Sequence, residues 1–149
     1  NIDKDIMDLN LLIDETLESL NPMLKEKNIN VNLNLLDDEI YINGDYNRLS
    51  QVIINLLKNS LESIKDKGLI KISSKLKDNK YYLIIEDNGM GMTSETLKKI
   101  KEPFFTTKPR GSGLGVSLIY EIVEAHGGNI KYSSEYGKGT KVTLYFPIV

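Results

Sequence analysis

Residues 69–87 read LIKISSKLKDNKYYLIIED, and no other stretch constrains the fold so tightly. Two apolar-rich runs, LIKISSKL and YYLIIED, flank a short Asp-Asn turn, the pattern of an antiparallel β-hairpin. Strand residues alternate faces, so Asp87 shares its face with Tyr81, Leu83 and Ile85. If that face is buried, a carboxylate leaves the core with no obvious partner, at a cost of about 1–3 kcal/mol. Two glycines, Gly89 and Gly91, follow at once in DNGMGM. Either the strand reading fails or a group outside this stretch donates a hydrogen bond to Asp87.

The remaining elements build around that hairpin. Leu9, Leu12, Ile13, Leu17, Leu20 and Leu24 recur at helical spacing, predicting an amphipathic helix from about Asp8 to Lys27 that Pro22 kinks or interrupts. Residues 29–35, INVNLNL, alternate strictly and predict a half-buried strand. A second helix is expected from Asp45, a plausible N-cap, to a stop at Gly68. From Asn88 to Ser117 the periodicity fails apart from a short helix candidate at 94–100, the pattern of a functional lid or a disordered segment. A third helix with Val116, Ile119, Tyr120 and Val123 on one face ends at HGG. NIKYSSE and TKVTLYF then form a closing hairpin around YGKG, with Thr140 on the face of Val142, Leu144 and Phe146. The expected architecture is α+β: a two-layer sandwich with helices on one face of a mixed, mostly antiparallel sheet.

Composition narrows the function classes. At 149 residues the chain is read as one domain, 1–149, able to bury a sizeable core. Nineteen basic against 21 acidic residues give a net charge of −2, without an electrostatic footprint for nucleic acid. The absence of cysteine removes disulfides, thiolate metal sites and a cysteine nucleophile. No apolar run is long enough to span a membrane. The chain opens on Asn1 rather than Met, so a longer parent is expected.

Several constellations carry chemistry. On the middle helix, Asn55 and Asn59 lie one turn apart on a polar stripe that also holds Glu62. The plain reading is a solvated face, yet Asn is a poor helix former, and an amide oxygen suits a Mg²⁺ ion held mostly by substrate phosphates. In GSGLGVSL, Gly111, Gly113 and Gly115 run into a helix start, where free N–H groups and the dipole favour an anion. A dinucleotide fingerprint fails there, because position 116 is Val and no strand precedes Gly111. GKGT (137–140) lacks the Lys-Ser/Thr pair of a P-loop and by itself is a turn. In EPFFTTKPRGSG, Phe104 and Phe105 are expected to anchor the lid, while Thr106, Thr107, Lys108 and Arg110 offer donors to phosphate; a basic surface loop is the alternative. His126, the single histidine, sits at a helix C-terminus where an imidazole meets the dipole favourably.

Taken in order, these features form a recognisable series. NLLKNSLES, DNGMGM, PFFTTK, GSGLGVSL and YGKGT follow one another as the N box, first glycine box, F box and second and third glycine boxes of a known domain. The chain resembles the ATP-binding catalytic domain of bacterial sensor histidine kinases, in the gyrase/chaperone/kinase/MutL (Bergerat-fold) superfamily. PFFTTK and SLES look closest to the nitrogen-regulation and sporulation kinases.

The resemblance implies ATP and Mg²⁺ as cofactors and phosphoryl transfer to a histidine. Asp87 is then the acceptor for the adenine amino group. Gly89 and Gly91 let the base approach the backbone, and Thr140 supports the contact through water. Asn59 would hold Mg²⁺, with Asn55 beside it. The implied nucleotide site also takes in Met92, Phe105, Thr106, Thr107, Gly111 and Leu114. Lys108, with the backbone of Gly113 and Gly115, would meet the phosphates, and Asn59 and Lys108 would carry the catalytic roles. Two departures stand out. Glu62 occupies a position that is often basic in the family. The phosphoacceptor histidine is also missing, since His126 precedes two glycines rather than an acidic residue. The resemblance therefore implies an N-terminal dimerisation and phosphoacceptor domain in a homodimeric parent, a downstream response regulator and no nucleic-acid partner. It implies a cytoplasmic domain, whether or not the parent is anchored in a membrane. Two rivals are an ATP-hydrolysing machine, disfavoured because Asn55 stands where such enzymes place a glutamate base, and a non-catalytic nucleotide sensor.

Overall fold

A computed structural model of the chain describes residues 2–100 and 114–149, the side chain of residue 114 excepted. A five-stranded sheet runs in the order β2(Ile29–Asn34), β4(Gly68–Lys77), β5(Lys80–Asp87), β7(Gly139–Pro147), β6(Asn129–Glu135). Only β2–β4 is parallel; the other neighbours are antiparallel. A separate two-stranded ribbon pairs β1(Asp5–Asp8) with β3(Tyr41–Gly44). The helices are α1(Leu9–Glu26), α2(Tyr46–Ser63), α3(Ser94–Lys99) and α4(Leu114–Ala125).

The expected hairpin is β4–β5, and its turn residues explain its tightness. Asp78 and Asn79 both adopt left-handed backbone, φ 52° and 61°, the geometry of a two-residue turn that follows strand twist. Alternation along β5 is regular: Tyr81, Leu83, Ile85 and Asp87 are buried, and the residues between them are half-buried. The inner sheet face, with Ile70, Ile72, Leu83, Val142 and Leu144, packs against Leu12 and Ile13 of α1, Val52, Ile53 and Leu56 of α2, and Ile119 and Val123 of α4. The two-layer α+β expectation is met.

One element bound needs correction. α1 spans Leu9–Glu26, as expected, and Pro22 does not interrupt it. Pro22 is exposed, so solvent can serve the carbonyl it leaves unpaired, while buried Leu20 and Leu24 hold the helix down on either side. α2 begins as expected, with the Asp45 side chain accepting from Arg48 N, but stops at Ser63 rather than Gly68. There the Lys27 ammonium donates to the carbonyls of Leu61 and Ile64, both at 3.0 Å, capping a C-terminus that lacks a glycine. Finally, β1 and β3 had no clear signal in the sequence, because each is four residues long and they find each other across α1 and β2.

His126 is buried at the C-terminus of α4, in the structural role expected. Nδ1–H donates to the Ile122 carbonyl at 2.7 Å, and Nε2 accepts from the Asp45 N–H at 2.9 Å. One tautomer of the ring satisfies both bonds, so the residue also ties α4 to the start of α2, a contact the sequence did not show. Asp45 itself accepts from Asp3 N at 3.0 Å and Arg48 N at 3.2 Å. These backbone donors, Asp3 first, hold its carboxyl below the usual aspartate value.

Candidate functional site

The carboxylate of Asp87 sits 7% exposed where β5 leaves the sheet. Its partners come from outside the strand. Ser63, the last residue of α2, shares its one hydroxyl proton between the Ser60 carbonyl at 2.8 Å and Oδ1 at 3.2 Å, and Gly89 N–H donates to the same Oδ1 at 2.9 Å. Oδ2 receives no hydrogen bond among the described residues. One oxygen is bonded within the protein, and the other is reachable from solvent.

Ser63 organises the whole corner. Its own carbonyl accepts from Met90 N at 2.9 Å. A Cβ on Gly89 would fall on the Ser63 hydroxyl, and a Cβ on Gly91, where φ is +71°, would fall on the Glu135 carbonyl oxygen. The two glycines are therefore required by the protein's own close packing, whatever else approaches them. Asn88 fastens the other side, its Oδ1 accepting from Leu69 N at 2.8 Å.

Thr140 lies directly opposite Asp87 in the β5–β7 register, on the same face. Its hydroxyl contacts Ser134 Oγ at 2.8 Å. Ser134 Oγ donates to the Gly139 carbonyl at 2.9 Å and accepts from Met92 N at 2.8 Å. With its proton already used, Ser134 must accept the Thr140 proton, so Thr140 Oγ1 presents lone pairs beyond that contact. Asp87 and Thr140 thus place two acceptors side by side, the complement of a donor-bearing ligand edge.

Asn55, Asn59 and Ser63 follow at four-residue intervals along α2 and so share one stripe that leads to Asp87. Both asparagines are half-buried and Glu62 is exposed. Among the described residues there is no group of three His, Cys, Asp or Glu able to hold a metal. A divalent ion here needs ligand phosphates, and the amide oxygens suit that minor share.

The structure brings together Asp87, Gly89, Gly91, Met92 and Thr140, with Asn59 one helical turn before Ser63. Gly115 lies in the first turn of α4, exposed and with open space around it. Phe105, Thr106, Thr107, Lys108, Gly111 and Gly113 lie outside the described residues, as does the Leu114 side chain. Sequence reasoning missed Ser63, Asn88 and Ser134. Ser63 alone had a signal, its place four residues after Asn59 on the asparagine stripe.

Residues 44–149 match the family of histidine kinase-, DNA gyrase B-, and HSP90-like ATPases. The chain belongs to this family. It is 42% identical over 135 residues to Sporulation kinase E of Bacillus subtilis (strain 168), covering 90% of this chain but 18% of that protein. The catalytic domain of histidine kinase ThkA superposes with a TM-score of 0.88 at 31% identity, covering 97% of this chain and 95% of that one. Histidine kinase ThkA in complex with response regulator protein TrrA gives 0.85 at 28% identity, covering 99% of this chain and 42% of that one. Fold and relatives together are those of a histidine-kinase ATP-binding catalytic domain.

Proposed function

We propose that this chain is a single catalytic domain that binds Mg-ATP in the corner between α2, the end of β5 and β7, and donates the γ-phosphoryl group to a histidine on a separate dimerisation domain. The observation that carries the reading is the Asp87 carboxylate, bonded within the protein through Oδ1 alone, with Oδ2 open beside the Thr140 acceptor. An adenine edge supplies that donor from its amino group. A base without one would leave the carboxylate buried and unpaired, which makes the pocket selective.

The other residues take roles along the nucleotide. Asn59, with Asn55 beside it, lies on the stripe that would face the phosphates and Mg²⁺. A bound Mg²⁺ would supply charge neutralisation for the phosphates, with its ligands mainly from phosphate and water. The N-terminal turn of α4, with Gly115, offers backbone N–H groups to an anion, and Lys108 would approach as a cation. Transfer breaks the bond between the γ-phosphorus and its bridging oxygen and forms a phosphorus–nitrogen bond on the acceptor imidazole. His126 is not that acceptor, being 4% exposed with both ring nitrogens bonded. The acceptor therefore belongs to another domain, in a parent expected to be a homodimer that passes the phosphoryl group to a response regulator. The reading includes a cytoplasmic location; no helix among the described residues is long and apolar enough to cross a membrane.

The test is reconstitution. The chain is mixed with the parent's dimerisation domain and Mg-ATP, and acid-labile, base-stable phosphate is followed on the added domain. Wild type should label it, while Asn59→Ala should abolish labelling and weaken ATP binding far more with Mg²⁺ than in EDTA. Labelling by Asn59→Ala at the wild-type rate, or equal binding losses with and without Mg²⁺, would remove Asn59 from the metal site.

A further inference from the structure

Among the described residues, the sheet face turned away from the helices carries no other element, and its chemistry is lopsided. Alternation places Lys71, Lys75 and Lys77 of β4, Lys80 of β5, Lys141 of β7 and Lys131 of β6 on that face. Two carboxylates share it: Glu86, in register between Lys71 and Lys141, and Glu135 at the end of β6, bridged to Lys138 at 3.1 Å. Six lysines less two glutamates give +4 on a chain whose total is −2. Asp78 lies at the rim, in the β4–β5 turn. From β4 to β6 the array spans three strand spacings, about 15 Å, roughly two Debye lengths at physiological salt.

The centre of the face says what kind of partner fits. Tyr82 and Tyr145 are cross-strand neighbours with ring centroids 5.4 Å apart. The ammonium groups of Lys75 and Lys80 lie over them at 5.5 and 4.7 Å. Rings covered in this way are not open stacking platforms for nucleic-acid bases. No large apolar side chain of the described residues is exposed on this face, so it lacks the anchor that a protein interface buries at its centre. What remains is a broad, positive surface edged by tyrosine hydroxyls. We infer that this face docks on an anionic lipid surface, by charge and without insertion, while the Asp87 corner on the opposite face stays open to its ligand.

The experiment is co-sedimentation of this chain with vesicles of phosphatidylcholine alone and of phosphatidylcholine mixed two to one with phosphatidylglycerol. The chain should partition onto the anionic vesicles at low salt, release near 0.5 M NaCl and ignore the neutral ones. Each lysine near an anionic leaflet contributes about fivefold, so K71E/K131E/K141E should lose at least about 100-fold in partitioning. Retained Mg-ADP binding by the variant would show that it is folded. Equal binding to neutral vesicles, wild-type partitioning by the folded variant or insensitivity to salt would overturn the inference. So would binding to polyglutamate or DNA without binding to anionic vesicles. The salt and neutral-vesicle arms use wild type alone and decide the matter even if the variant misfolds.

Discussion

Replacing Asp87 by asparagine changes one oxygen and very little else. The amide oxygen can take the place of Oδ1 and keep the bonds from Ser63 Oγ and Gly89 N. The amide nitrogen then replaces Oδ2, an atom the described fold does not use, so stability should change by less than about 1 kcal/mol. Binding should change far more. An acceptor meeting an amino group becomes a donor meeting a donor, and a hydrogen bond to a charged group is worth about 1.5–3 kcal/mol. That converts to roughly 10- to 100-fold weaker Mg-ADP binding. The same change should help a hypoxanthine nucleotide, whose carbonyl faces the position of the adenine amino group, so Mg-IDP should bind Asp87→Asn more tightly than it binds wild type. Paired calorimetric titrations of both nucleotides against both proteins, with thermal melts as the stability control, read all of this. Unchanged Mg-ADP affinity, or equal losses for the two nucleotides, would refute the placement of the base at Oδ2.

Three further outcomes follow from the described contacts. Ser63→Ala removes one donor to Asp87 while Gly89 N remains, so ATP affinity should fall about 3- to 10-fold and discrimination against ITP should narrow; a fall in stability with base selectivity intact would make Ser63 structural only. His126→Ala strands the buried Asp45 N–H and opens a cavity, so urea unfolding should show a loss of about 2–4 kcal/mol, with labelling of a supplied dimerisation domain preserved at low temperature; loss of labelling by the folded variant would return His126 to the chemistry. The Asp45 carboxyl is held below 3.8 in the folded chain, so its contribution is present above that pH and is lost as pH falls through the folded value. Asp45→Asn keeps the cap but not the charge and should flatten the acid limb of a melting-temperature profile; an unchanged acid limb would show that Asp45 does not set it.

Much of this architecture is local and therefore legible. The Asp78-Asn79 turn, the alternation that aims Asp87 and Thr140 inward, and Asp45 as a helix cap each depend on residues close together in the chain. Their periods of two and 3.6 are properties of the backbone itself. The order of the glycine and asparagine boxes was equally readable and carried the family resemblance.

Other features needed the folded chain. Ser63 meets Asp87 across 24 residues, Gly91 meets the Glu135 carbonyl across 44, and His126 meets Asp45 across 81. No local period encodes such distances, because they are set by how layers pack. The short ribbon of β1 and β3 is absent from the pattern for the same reason. Charge shows the contrast most plainly: a total of −2 gave no electrostatic footprint for nucleic acid and no hint of a charged face, yet the sheet collects six lysines on one side. The sequence by itself determined which elements form, which way their side chains alternate and that a carboxylate would end a buried strand. Only tertiary structure decided which distant hydroxyl holds that carboxylate and which face carries the positive charge, since both depend on strands and helices far apart in the chain being brought side by side.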